Sequence, residues 1–159
     1  MSEPRILVVD DEPFNLEIVG EYLDGMGFDL VYAESGTEAW EVLTRAGEHF
    51  DLILLDRMMP GLDGISVLRQ VKADPSLRQI PVIMQTAATS PEQVREGLAA
   101  GAYYYLTKPF EGEALQTIIR SALDDQRIRR DLTTDLLNHA QALALVAEAE
   151  FEARTLDDA

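Results

Sequence analysis

The apolar runs of this chain end in residues that can do chemistry. "RILVV" runs into Asp10 and Asp11, "DLILLD" ends on Asp56, "IPVIMQT" ends on Thr86, and "YYYLT" is followed by Lys108. Charges are costly to bury, so acids at the tips of apolar strands suit a shared site at an edge better than a place inside a core. Carboxylates held together repel one another, and their pKa values rise. A hard divalent cation relieves that repulsion. Mg²⁺ takes one or two carboxylates, a backbone carbonyl and several waters. A cation on one flank of Asp56 and a lysine on the other would cradle a phosphoryl group, because lysine binds phosphate as a point charge. Thr86 can donate its hydroxyl to a phosphoryl oxygen, and Asp56 can be the nucleophile that forms an aspartyl phosphate. Phosphoryl transfer asks mainly for positioning and charge neutralisation, and this set of residues offers both.

The elements that must position these groups alternate along the chain. "RILVV", "DLVYA", "DLILLD", "IPVIMQT" and "YYYLT" read as strands. Pro13 suits a first helical turn, and Leu16, Val19 and Leu23 follow at helical spacing. "SGTE", residues 35 to 38, is a capping box before Ala39, Val42 and Leu43. "ISVLRQVKA" is a helix stopped by "DPS"; Asp63 and Gly64 before it read as turn chemistry. Ser90 caps a further helix with Pro91 in its first turn, and Gly101 closes it. Repeated strand–helix units imply a parallel sheet with helices on both faces, and near-continuous apolar strands fit burial on both sides. Ligands of such sheets sit at the carboxyl ends of the strands, where the acids, Thr86 and Lys108 all stand.

In "VVDDE", "LILLDRMMPGLDG", "MQTA" and "LTKPF" the chain resembles the receiver (CheY-like) domain of two-component response regulators, in that family's order and at its spacings. The resemblance covers residues 5 to about 123. It implies a doubly wound, flavodoxin-like α/β fold with a five-stranded parallel sheet in the order 2-1-3-4-5. It implies that Asp56 accepts a phosphoryl group from a phosphohistidine, on a sensor histidine kinase or a histidine phosphotransfer protein. Asp11, Asp56 and the Met58 carbonyl would bind Mg²⁺ (or Mn²⁺) directly, and Asp10 would hold a metal-bound water. Lys108 would pair with the phosphoryl group, and its bond to Pro109 is expected to be cis. Thr86 would swing toward the phosphoryl oxygens and Tyr105, the switch aromatic, would turn inward. The product would be a population shift around the fifth strand, controlling oligomerisation or an output domain. Such a chain catalyses its own phosphorylation without being a conventional turnover enzyme. Met58 and Ala88 stand two residues after Asp56 and Thr86, and neither side chain can orient an attacking water, so slow dephosphorylation is expected.

Bulk properties narrow the field further. With 159 residues and 47% apolar content, the chain can build one domain with an appendage. The net charge of −16 argues against non-specific binding to nucleic acid while leaving room for a basic protein partner. No helix-turn-helix with a basic face is visible. The absence of cysteine excludes disulfides, thiol catalysis and zinc thiolate sites. No apolar stretch reaches membrane-spanning length and no signal peptide opens the chain, so it reads as soluble and cytoplasmic, with no membrane partner. A phosphatase of the haloacid dehalogenase type would want an acid where Met58 stands. A purely structural receiver-like module would tolerate loss of the acids or of Lys108, and all are present. Taken singly, Asp10, Asp11 and Glu12 could serve the positive end of the next helix, Asp56 could cap a turn, and Thr86, Lys108 and Pro109 would be ordinary. Their combination carries the reading. His49 and His139 are isolated, and Trp40 is expected against the sheet.

The sequence divides into a receiver domain (residues 1–123), a helical extension or linker (124–150) and a last stretch (151–159). From Glu113 to Glu148 there is neither Gly nor Pro, and Ile118, Ala122, Ile128, Leu132, Leu136, Leu143 and Val146 keep helical spacing. Charges in "DDQRIRRD" interrupt the stripe, so a kink or break is expected near residues 124–131. An apolar stripe without cover needs a partner: a second copy in a parallel coiled coil, giving a homodimer, or the chain's own receiver domain. "EFEART" alternates like a strand, and "TLDDA" opens like a helix capped by Thr155 with Asp158 three residues on. "EFEARTLDDA" resembles the opening of ATP-binding, kinase-like output modules, which implies the start of a truncated output domain.

Overall fold

The computed structural model describes residues 3–87 and 90–157, the last three as backbone only. Among the described residues, five strands alternate with five helices: β1 (Arg5–Val9), α1 (Pro13–Leu23), β2 (Asp29–Ala33), α2 (Gly36–Thr44), β3 (Leu52–Asp56), α3 (Gly64–Ala73), β4 (Val82–Thr86), α4 (Pro91–Ala99), β5 (Tyr104–Thr107) and α5 (Gly112–Asp157). The strands form one parallel sheet in the order β2-β1-β3-β4-β5. By contacts the chain divides into two units, Met1–Gln126 and Arg127–Ala159. Among the described residues, no helix is long and apolar enough to cross a membrane.

The period-two alternation of the strands sorts their side chains onto two faces. Leu7, Val9, Ile53, Leu55, Val82 and Met84 face a core built with α2 and α3. Ile6, Val8, Leu52, Leu54 and Ile83 face a second core built with Leu16, Val19 and Leu23 of α1 and Leu115, Ile119 and Ala122 of α5. The central strands are buried along their whole length, as expected for strands covered on both sides. Trp40 packs against the first core.

Helix starts follow the local chemistry. Ser35 accepts from the Glu38 amide, and the Glu38 carboxylate reaches back to the amide of Glu34. Ser90 caps α4 through the Gln93 amide, and Pro91 stands in the first turn. Asp63, expected as turn chemistry, is the N-cap of α3, its carboxylate accepting from the Ser66 amide.

Two expectations for the C-terminal region are corrected. Helix α5 runs from Gly112 to Asp157 with no break near residues 124–131. With no Gly or Pro after Gly112, every backbone bond can be made, and Gln126, Arg127, Arg129 and Arg130 are good helix formers that offset the weaker propensity of Asp124, Asp125 and Asp131. Residues 151–157, read as a strand followed by a newly capped helix, belong to α5. Their alternating Glu, Phe and Arg gain nothing from a strand with no neighbour, whereas the helix bonds itself. The second half of that expected cap, Asp158, lies outside the described residues.

Candidate functional site

The two faces of the sheet explain why the polar tips form one site. Asp10 continues the row Ile6–Val8, Asp56 the row Leu52–Leu54, and Lys108 follows Leu106, all on the α1/α5 face. Each row swaps aliphatic for charged residues where the strands end. Asp10, Asp11 and Asp56 each place a carboxylate oxygen within 4.8 Å of the others. Asp10 is 1% exposed and Asp56 4%. Lys108 spans the cluster: its Nζ lies 2.7 Å from Asp10 Oδ2 and 3.6 Å from Asp56 Oδ1. The peptide bond that follows it, Lys108–Pro109, is cis, as expected.

Asp10 also accepts from the Glu12 amide at 3.0 Å and from the Asn15 side chain at 3.4 Å, so it serves the start of α1 as well as the cluster. Asp56 Oδ1 accepts from the Met58 amide at 3.3 Å. That contact folds the connection after β3 over the acid, while the Met58 side chain stays exposed. Gly64 makes the fold possible, because a Cβ there would overlap the Asp56 carbonyl oxygen and press on Arg57. Burial is the largest influence on the Asp56 carboxyl. Lys108 and the Met58 amide pull its pKa down, Asp10 and Asp11 push it up, and the balance raises it to about 7.

The other face holds the remaining expected residues. Thr86 continues the row Val82–Met84, is buried, and pairs in register with Thr107 of β5. Tyr105 is half-buried against the α2/α3 core. Its ring lies where a Cβ on Gly97 of α4 would sit, so the glycine lets helix and ring approach. Ala88 lies outside the described residues.

Sequence reasoning missed Arg57. It follows Asp56, so alternation turns it onto the Thr86/Tyr105 face. Its guanidinium is buried and donates to Glu96 Oε2 at 2.8 Å, to the Gln93 carbonyl at 3.2 Å and to the Tyr105 hydroxyl at 3.4 Å. Burial works against this charge, but Glu96 and Tyr105 outweigh it and the pKa is raised. Asp56, the last residue of β3, and Arg57 just after it thus touch both halves of the site, Asp56 the acidic cluster and Arg57 the α4–Tyr105 contact.

Comparison with known proteins agrees with this geometry. The family model described as the response regulator receiver domain matches residues 6–120. The chain belongs to that family. It is 42% identical, over 75% of its length, to the DNA-binding response regulator MtrA of Mycolicibacterium smegmatis, and covers 50% of that protein. It is 38% identical to a gliding motility regulatory protein of Myxococcus xanthus, of which it covers 15%. The chain therefore spans half or less of these curated relatives. Among solved structures, a CheY-like response regulator receiver domain protein of Methanospirillum hungatei superposes with a TM-score of 0.72 at 29% identity, over 80% of this chain and 99% of that one. The receiver fold and its strand order thus stand as the sequence implied.

Proposed function

We propose that this receiver domain is a phosphoacceptor module, with Asp56 as the residue phosphorylated. The observation that carries the reading is the meeting of Asp10, Asp11 and Asp56 with Lys108 at the carboxyl ends of the strands. The donor would be a phosphohistidine on a sensor histidine kinase or a histidine phosphotransfer protein. An Asp56 oxygen attacks phosphorus, the P–N bond breaks, and the imidazole nitrogen leaves with the electron pair and takes up a proton. The chain's part is to hold the carboxylate in place, through burial and the Met58 amide, and to present Lys108 to the phosphoryl oxygens.

The donor set fits a hard divalent cation, because three carboxylates share a few ångströms with one lysine. Asp10, Asp11, Asp56 and the Met58 carbonyl would hold Mg²⁺ or Mn²⁺. When bound, the ion supplies neutralisation of the charge shared by acids and phosphoryl group. Lys108 bonds Asp10 more closely than Asp56, so it must loosen from Asp10 to serve a phosphoryl oxygen fully.

Thr86 and Tyr105 share a face with Arg57 and are the proposed switch. Thr86 turns toward the phosphorylated Asp56, and Tyr105 changes its place against Gly97 and Arg57. In the second unit, Leu132, Leu136, Leu143 and Val146 recur at helical spacing and the leucines and valine are exposed. A second copy pairing along this stripe would make a homodimer. The switch is tested with beryllofluoride and Mg²⁺ on ¹⁵N-labelled chain. The amides of Thr86 and Tyr105 are expected to shift in the wild type and not in Asp56→Asn. Shifts of equal size in both would refute a switch driven from Asp56.

A further inference from the structure

Between α1 and the β5–α5 connection lies a cavity of about 350 Å³, near the lower end of the range for small-ligand sites. Ile18, Val19, Tyr22, Pro109 and Phe110 give it an apolar wall. Tyr22 and Phe110 stand at its side as a tilted pair, ring centroids 6.4 Å apart. Gln85 also lines it. This glutamine is 1% exposed, yet neither its Nε2 nor its Oε1 has a hydrogen-bond partner among the described residues. Position 85 continues the inward row of Ile83, where an aliphatic residue would pack without cost. A buried amide with both ends unmet is expensive, and native structures rarely keep one unless something meets it.

The chemistry of that something follows from the lining. A glutamine amide offers an acceptor and a donor side by side, so its best partner presents a donor and an acceptor in the same order. Primary carboxamides, lactams and nucleobase edges do so. Gln85 pairs in register with Asp56, and Lys108 also lines the cavity. An anionic ligand would lie beside the acids, and a cationic one beside Lys108, whose ammonium is already committed to Asp10. A neutral ligand meets neither difficulty. We infer that this cavity binds a small, neutral, flat molecule with an amide-like edge, held by Gln85 and packed against Tyr22 and Phe110. Binding there does not require Asp56 to be phosphorylated.

Benzamide is the probe, titrated into the ¹⁵N-labelled full chain. Acetophenone is the control, with the same ring and carbonyl but no N–H. Benzamide is expected to give saturable shifts at Val19, Tyr22, Gln85 and Phe110 with a Kd of about 1–10 mM, the range open to so few atoms. Acetophenone should bind roughly tenfold more weakly, because it leaves the Gln85 carbonyl unmet. Gln85→Met, similar in shape, should weaken benzamide by about the same factor. The comparison of the two probes on the wild type decides the matter even if that variant fails to fold. Benzamide shifts that do not saturate, that map elsewhere, or that match acetophenone's would overturn the proposal and leave water as the partner of Gln85. So would equal benzamide affinity in a folded Gln85→Met.

Discussion

At Asp56 one carboxyl meets two opposed demands. To act as a nucleophile it must be ionised, yet it is buried beside Asp10 and Asp11, and its pKa stands at about 7. The consequence for the metal-free protein has a definite sign. The folded state keeps a proton that the unfolded chain releases near the ordinary value of 3.8, so the folded state binds more protons between these two values. The associated stability is fully present below the unfolded pKa and is lost as pH rises through about 7. Lys108 moderates the effect and Asp10 and Asp11 enlarge it. In EDTA, the Tm of the wild type should fall relative to Asp56→Asn as pH goes from acidic to slightly alkaline. At the alkaline end the variant should lead by roughly 5 °C. A constant difference across pH would mean that Asp56 does not titrate there. Arg57 works beside it on the opposite face. Arg57→Ala should cost about 1–2 kcal/mol, because it removes a buried, multiply bonded cation but leaves Glu96 partly solvated. It should also move the Tyr105 amide shift of the unphosphorylated protein toward its beryllofluoride position. Arg57→Lys should not rescue this, since a point charge cannot make three directed bonds. An unmoved Tyr105 would show that Arg57 is only a structural tie.

At the scale of elements, the site depends on where strands stop and helices start. Gly64 opens α3 directly against the end of β3, and its missing Cβ is what lets the chain return over Asp56. Gly64→Ala should therefore cost about 2–4 kcal/mol despite the better helix propensity of alanine, read as a Tm lower by roughly 10 °C. A stabilised variant would show that the backbone there yields easily. Much of this arrangement was legible in the sequence. The five strands, the Ser35 and Ser90 caps and the five polar tips follow from local pattern, because parallel strands are uniformly apolar and caps have their own chemistry. Arg57 was not legible, because an arginine at a strand end looks solvated until α4 packs over it. Gln85 left a signal that could have been used, a lone amide inside the run "IPVIMQT". The expected break in α5 came from reading lost apolar periodicity as lost helix. Periodicity reports burial, whereas the continuity of an exposed helix rests on propensity and on the absence of Gly and Pro.

At the scale of the whole molecule, a receiver unit and a long helical segment share one acidic chain that spans half or less of its curated relatives. The exposed leucines of the segment carry the proposed homodimer. Leu136→Glu with Leu143→Glu should make the chain monomeric at micromolar concentration by sedimentation, and leave the receiver's amide spectrum unchanged. A wild type that is already monomeric, phosphorylated or not, would refute pairing along this stripe. Whether Asp56 accepts the phosphoryl group is read from intact mass after incubation with acetyl phosphate and Mg²⁺. A single phosphoryl adduct is predicted in the wild type, absent from Asp56→Asn and lost when Mg²⁺ is removed with EDTA. No adduct in the wild type, or an equal adduct in the variant, would show that Asp56 is not the phosphoacceptor.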